Sequence, residues 1–384
     1  MAQPLKKKEV KTSADKFNIS QFKKEKLGGN VAKVADKPIE WIVMPKAYQN
    51  ALSLPGVPIA RGVFSVRGWS DTGKSTLKNC AIAAAMKQGI LPVIFETEGN
   101  FDFQYAKDCG MDITPVYDVD EETGEEKIVD WEGNFVLFTN RGICDYCGDM
   151  DYMQGKRLTK KRTTPVIEDV AFIIKSFLDM QDNGELPMPI LFVWDSVGSI
   201  SSFKSLTSKT GNNQFDAGAI ATAFKDIFPR ISASKEVGSP YSNTLFVVNK
   251  IWQDVMNSMG GAISIENSGG KTLFYATRLG IHCGGTAKAA TKKLKATLKG
   301  KEYQYGTITK ISVYKNQLPV PYNITYSGTM CCVHNGIISE DELDEYKKTQ
   351  IPLIFEKMKN IFGEEEFKNA KAEDIVFTEE EELD

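Results

Sequence analysis

The sequence predicts an α/β fold in which a mostly parallel central sheet is flanked by helices, and three observations carry the prediction. Short apolar, β-rich runs at Gly62 to Arg67, Pro92 to Thr97 and Ile190 to Asp195 are separated by helix-period segments at Lys74 to Gln88, Phe101 to Cys109, Ile167 to Met180 and Ala217 to Ser234. A glycine-bounded turn, Gly68 to Ser75, joins the first run directly to the first helix. The final third returns three more strand patterns at Thr244 to Asn249, Arg278 to Cys283 and Thr307 to Tyr314, which complete the same sheet.

The chain has 384 residues, 42% of them hydrophobic, enough for one large core with smaller attachments. Residues 1–40 are lysine-rich and read as an N-terminal oligomerisation arm, with a short helix from Ile19 to Leu27 ended by Gly28-Gly29 and with Phe17 and Phe22 as candidate anchors into a neighbouring copy. Residues 41–335 form the core. Within it, residues 114–165 degrade into an acidic stretch, an isolated strand-like run from Asn134 to Thr139 and a basic cluster at Lys156, Arg157, Lys160, Lys161 and Arg162, which reads as a protruding insertion. Residues 336–363 give a helical segment, Glu340 to Phe362 in one piece, and residues 364–384 an acidic tail.

That tail holds ten acidic residues against Lys368 and Lys371, so the overall net charge of −3 conceals a basic body able to meet a polyanion. No apolar run is long enough to span a bilayer, and Lys6, Lys7 and Lys8 are not followed by a secretory apolar segment, so the expectation is an intracellular protein without membrane contact. Seven unevenly spaced cysteines do not make a disulfide framework. Cys144 and Cys147 form a single C-x-x-C without the second pair that a tetrahedral zinc site needs.

Gly68-Trp69-Ser70-Asp71-Thr72-Gly73-Lys74-Ser75 fits G-x-x-x-x-G-K-[S/T] at every fixed position, after a strand and opening a helix. In such a loop the glycines let the backbone curl around a phosphate, so that successive N–H groups and the helix start, on to Thr76, point at it. Lys74 would add charge at the outer phosphates and Ser75 would ligate Mg²⁺, making ATP and Mg²⁺ the expected cofactors. The second magnesium-side group is expected at the end of a neighbouring buried strand, where Asp195 stands. Glu96 and Glu98, at the C-terminal end of the Pro92 strand, are both candidates to orient or deprotonate an attacking water, and spacing does not choose between them.

Further segments in register resemble the RecA family of recombinases. Glu98-Gly99-Asn100-Phe101-Asp102, Tyr105-Ala106-Lys107 and Gly110-Met111-Asp112-Ile113 are similar to the family segment bearing its catalytic glutamate and adenine contacts. The resemblance selects Glu98 and implies that Tyr105 stacks on adenine beside Asp102. Asp195-Ser196-Val197 resembles the family's D-S-V, and Asn243 to Asn249 its strand leading to the γ-phosphate sensor, making Asn249 and Lys250 candidate catalytic residues. Gly269-Gly270-Lys271 with Phe274-Tyr275-Ala276 is similar to the end of the family's second DNA loop, and Val313 to Asn316 to the strand whose lysine, here Lys315, reaches a neighbouring subunit's ATP. Lys250 stands where the family has glutamine, and Gln317 where it has a second lysine. The insertion, the tail and the short C-terminal region are closer to viral members such as UvsX, which implies a virus-encoded protein acting on DNA in a bacterial cytoplasm.

The implied DNA loops are about 203–215, with Lys204, Lys209, Asn212 and Asn213, and about 252–270, with Trp252, Met256, Met259, Gly269, Gly270 and the following Lys271. Lysines neutralise phosphates there, and apolar side chains support splayed bases. The implied function is an ATP-dependent recombinase whose helical filaments hold single-stranded DNA and exchange it with a duplex, with single-strand-binding or mediator proteins as further partners. The competing expectations are a hexameric replicative helicase on a related core, which lacks a cross-subunit arginine here, and a filament protein of weakened chemistry.

Overall fold

A computed structural model of the chain describes residues 18–26, 37–119, 126–208, 213–236, 239–254, 264–267, 269–285 and 291–381. In chain order, α1 (Ile19–Lys26) precedes β1 (Trp41–Val43), α2 (Lys46–Leu52), β2 (Gly56–Pro58), β3 (Val63–Gly68), α3 (Lys74–Lys87), β4 (Leu91–Glu96) and α4 (Phe103–Asp108). There follow β5 (Ile113–Val119), β6 (Glu126–Gly133), β7 (Val136–Thr139), α5 (Asn140–Cys147), β8 (Met150–Asp151), β9 (Lys156–Arg157), α6 (Ile167–Asp182) and β10 (Ile190–Asp195). The chain continues through α7 (Phe203–Thr207), α8 (Asn213–Ala223), α9 (Ile227–Ala233), β11 (Thr244–Asp254), β12 (Ser264–Asn267), α10 (Gly270–Ala276) and β13 (Thr277–Cys283). It ends with β14 (Thr291–Leu298), β15 (Lys301–Asn316), β16 (Ser327–Val333), β17 (Gly336–Ile338), α11 (Leu343–Phe362) and β18 (Val376–Glu381).

The chain is a mixed α/β protein around a large, mostly parallel central sheet. Among the described residues the sheet path runs β17-β16-β15-β13-β3-β11-β10-β4-β7, and the neighbours from β13 to β7 are parallel. Each central strand alternates its side chains between two cores, as a pleat of period two requires. Phe64 and Val66, Leu191 and Val193, and Phe246 and Val248 face one core with α3; Val63, Phe192, Trp194, Leu245 and Val247 face the other with α6, α8 and α9. Both faces are therefore dry, which is why these strands read as unbroken apolar runs. A third core gathers β14, β15, β16 and α11 around Leu294, Ile308, Tyr346 and Met358.

Four expectations change. The run before Thr139 is not isolated: β7 pairs in parallel with β4, Val93 opposite Val136 through Glu96 opposite Thr139, and extends the central sheet. The stretch read as one insertion is thereby divided into the hairpin β5–β6, a core strand, and α5 with the small hairpin β8–β9. The helix expected from Ala217 to Ser234 is two helices, because Pro229 cannot follow Lys225 in a continuous helix: its ring would strike that residue's carbonyl. The acidic tail, whose composition leaves open a disordered solubilising end or a partner-binding one, packs on its own chain up to Glu381, since Phe367 and Ile375 are buried and β18 pairs antiparallel with the lysine-rich β14. Lys295 bridges Glu380 at 2.5 Å and Glu302 at 2.9 Å.

α1 matches the helix expected in the arm, with Phe22 exposed, whereas Phe17 and Gly28-Gly29 lie outside the described residues. Among the described residues no helix is long and apolar enough to cross a membrane, and no cluster of His, Cys, Asp or Glu is set to hold a metal ion. Cys144 and Cys147 are buried on α5, with the Cys147 thiol 3.3 Å from the Ile143 carbonyl.

Candidate nucleotide site

The loop between β3 and α3 is shaped by backbone that few side chains tolerate. Gly73 has φ +81° and caps α3, and Asp71 takes φ +58°. A Cβ on Gly68 would run into the Cys283 carbonyl on β13 and the Thr72 hydroxyl, so the turn closes against its neighbouring strand only with glycine there. Thr72 Oγ1 donates to the Trp69 carbonyl at 2.8 Å, the Lys74 ammonium donates to the same carbonyl, and the Trp69 indole donates to the Gly285 carbonyl at 3.1 Å. The Trp69 carbonyl thus holds the lysine across its own loop. Burial pushes the Lys74 ammonium below the usual lysine range.

Above the loop opens a cavity of about 480 Å³ lined by Asp71 through Thr76, Tyr105, Tyr303 to Thr307 and Cys332 to His334. Ser70 and Ser75 are exposed, and the Thr76 and Tyr105 hydroxyls lie 2.5 Å apart. Asp102 caps α4 by accepting the Tyr105 amide at 2.9 Å, so its carboxylate fixes the helix that presents the tyrosine ring.

At the level of the loop the strand ends stand in register: Glu96 opposite Asp195, Asp195 opposite Val248, and Gly68 opposite Lys250. Glu96 is buried, accepts the Glu98 amide at 3.1 Å and lies 3.4 Å from Lys78 Nζ; burial pushes its carboxyl above the usual range despite the Lys78 charge. Glu98 differs. It accepts the Ser196 hydroxyl at 2.5 Å and pairs with Lys250 at 3.1 Å. Burial alone would raise its carboxyl, but those bonds and the charges of Lys250 and Lys74 more than offset it and hold the group below the usual range. Of the two carboxylates left open by spacing, Glu98 is the one at the edge of the site, because Glu96 is committed to the interior.

Asp195 is buried, with Oδ2 2.6 Å from Lys78 Nζ. The Asn249 amide on β11 is also buried, and neither its oxygen nor its nitrogen has a hydrogen-bond partner among the described residues. The hard oxygens of Ser75 and Asp195 suit Mg²⁺, and glycine backbone, a lysine and an open cavity suit a triphosphate, so the residues present fit both groups.

The remaining candidates are less gathered. Lys315, on β15 opposite Gly280, is buried; its ammonium donates to the Phe274 carbonyl and lies 4.2 Å from that ring's centre, within its own chain. Lys204 on α7 is exposed, 4.3 Å from the Phe215 ring centre. Gly269 and Gly270 open α10 with positive φ, and Lys271 is exposed. Lys209, Asn212, Met256 and Met259 lie outside the described residues, as do the side chains of Asn213 and Trp252.

Sequence reasoning missed Lys78, Tyr303, Gln304, Cys332 and His334, and named Ser196 only as part of Asp195-Ser196-Val197, without a role. Lys78 carried a legible signal, since it follows Lys74 by four residues and so shares its helix face. The others arrive on distant strands and a turn, with no local pattern to mark them.

Comparison with known proteins finds similarity over part of the chain. No family profile matches it. It is 30% identical over 125 residues to protein RecA of Bacteroides thetaiotaomicron, covering 30% of this chain and 38% of that protein. It is 33% identical over 122 residues to protein RecA of Acholeplasma laidlawii, 31% and 37% of the two chains. With protein RecA of Francisella philomiragia the identity is 30% over 115 residues, 29% and 32%. The chain thus spans about a third of the length of the curated relatives it matches. This local similarity supports a relationship with the RecA family.

Proposed function

We propose that this chain is a DNA-dependent ATPase that assembles along single-stranded DNA and pairs it with a homologous duplex. The observation that carries the proposal is the cavity floored by Asp71 to Thr76, next to strand ends where Ser196 and Lys250 hold Glu98 close enough for its charge to act on Lys74. The local similarity to RecA proteins supports the same reading.

In this reading the amides of residues 69–75 and the Lys74 ammonium bind the phosphates, and Tyr105 bounds the base. Ser75 and Asp195 would hold Mg²⁺, which when bound supplies charge neutralisation beside the phosphates. Glu98, ionised well below neutral pH, accepts a proton from or orients water, and its partner Lys250 ties that carboxylate to β11. Asn249, buried with both amide atoms free of partners among the described residues, offers a donor and an acceptor on the same strand. β11 then links the site to the segment after Asp254, where the DNA contacts are proposed. Lys204, Lys209 and Lys271 neutralise phosphates, while base pairing supplies sequence specificity.

The experiment is ATP hydrolysis with and without single-stranded DNA for the unaltered chain, Lys74→Ala and Glu98→Gln, with electron microscopy of the DNA complexes. Stimulated turnover and helical filaments are expected of the first. Lys74→Ala should bind nucleotide poorly, and Glu98→Gln should bind it but lose turnover. Undiminished DNA-stimulated hydrolysis in Lys74→Ala refutes the proposal, and closed rings in place of filaments assign the chain to unwinding.

A further inference from the structure

Lys74 and Lys78 leave α3 on one face, one turn apart, and serve different surroundings. Lys74 crosses the phosphate loop, whereas Lys78 turns inward to the strand ends. Its ammonium lies 2.6 Å from Asp195 Oδ2 and 3.4 Å from Glu96 Oε2, and the Phe101 ring centre stands 5.2 Å away on another side. All three charged side chains are buried. A buried ammonium is kept only where carboxylates compensate its lost hydration, so this is a built arrangement and not a surface lysine folded inward.

Asp195 is also the carboxylate that the proposed function assigns to Mg²⁺, and the inference rests on that reading. We infer that Lys78 is a resident countercharge at the metal-side carboxylate, which makes nucleotide binding by this chain only weakly dependent on a divalent cation. Two effects act together. A bare aspartate beside the phosphate loop would repel a triphosphate until a cation arrived, and Lys78 removes that repulsion beforehand. A cation approaching Asp195 must also share it with an ammonium already in contact. Each effect lowers the coupling free energy between cation and nucleotide, and that coupling is reciprocal. Glu96, at the paired position on the neighbouring strand, completes the arrangement by drawing the same ammonium and by accepting the Glu98 amide, which ties the countercharge to the segment bearing Glu98.

The test measures the dissociation constant of a fluorescent ATP analogue on the full chain, with excess Mg²⁺ and with chelator. The ratio of the two constants is the coupling factor. In the unaltered protein the ratio is expected to stay below about tenfold, and in Lys78→Met to rise at least about tenfold above that, because charge effects at this range are worth that much or more. Lys78→Arg keeps the charge and should remain near the unaltered value. Thermal melts establish which variants fold. A ratio above about tenfold in the unaltered protein overturns the inference whether or not the variants fold. So does an unchanged ratio in folded Lys78→Met, or a Lys78→Arg that behaves like it. Absence of nucleotide binding under every condition would instead remove the proposed function, a different outcome from binding with strong cation dependence.

Discussion

Gly73→Ala tests the packing of the Gly68–Ser75 loop against a strand more than two hundred residues later in the chain. Two costs add. The φ of +81° lies in the left-handed region, where a Cβ costs about 1–2 kcal/mol, partly offset by about 0.4–1 kcal/mol from the stiffer unfolded chain. The new methyl would also overlap Cys332 Sγ on β16, while lying 3.4 Å from Cys332 Cβ and 3.6 Å from Met330 Cε. Overpacking of that kind costs about 1–3 kcal/mol, for a total of about 3 kcal/mol. Only the sulfur is too close, so Cys332→Ala should relieve the steric part and leave the conformational part. The assay is urea denaturation of the unaltered chain, both single variants and the double variant, with nucleotide binding measured on each. The double variant is expected to be more stable than the sum of the singles by about 1–3 kcal/mol, and to regain nucleotide binding relative to Gly73→Ala. Additivity within about 0.5 kcal/mol would refute the claim that β16 closes the loop.

Three further outcomes are expected. Asn243→Ala removes a paired amide contact in which Asn243 Nδ2 donates to Gln181 Oε1 at 2.7 Å while its Oδ1 accepts Gln181 Nε2 and the Ile190 amide, both at 3.0 Å. Orphaning those buried groups should cost about 3 kcal/mol in urea unfolding, and a loss under about 1 kcal/mol would show that they find other partners. Burial holds both histidines, His282 and His334, below the usual imidazole range, so the unfolded chain binds protons first as pH falls. Their contribution to stability is present above about pH 6.5 and is lost as pH drops below it; His282→Gln with His334→Gln should flatten the urea midpoint across that interval, and an unchanged slope would exclude them as its source. Deleting residues after Ile375 removes β18 and bares the edge of β14, which is expected to produce concentration-dependent self-association by light scattering; a strictly monodisperse, unchanged profile would show that β18 does not guard that edge.

What the sequence made legible was what is local or dry. Ile190 to Asp195 reads as a buried strand because both its faces are covered, and Gly68 to Ser75 reads as a phosphate loop because its spacing is intrinsic to the turn. β7 was legible as a strand but not as core, since so short a run next to an acidic stretch carries no sign of its partner, and only pairing with β4 places it in the central sheet. β18 was hidden by its composition: its glutamates read as a solvated end until Lys292 and Lys293 stand opposite Glu381 and Glu380 and Lys295 bridges Glu380. The choice between Glu96 and Glu98 needed contacts, because a period of two gives residues two apart the same face, and only their partners, Lys78 for Glu96 and Ser196 with Lys250 for Glu98, separate them. Pro229, by contrast, was a visible stop within a helical pattern and could have been weighed against it.

β11 runs eleven residues without a break, and its two parts have different neighbours. Through Lys250 it is flanked by β3, while Ile251 to Asp254 form half of a ribbon with β12. At about 3.3 Å per residue the outer four residues project roughly 13 Å, so a tilt of about 5° at Gly68 moves the far end by about 1 Å. The strand has the shape of a lever arm with its fulcrum beside the Gly68–Ser75 loop, and under the proposed function a small displacement there would return enlarged at the far end.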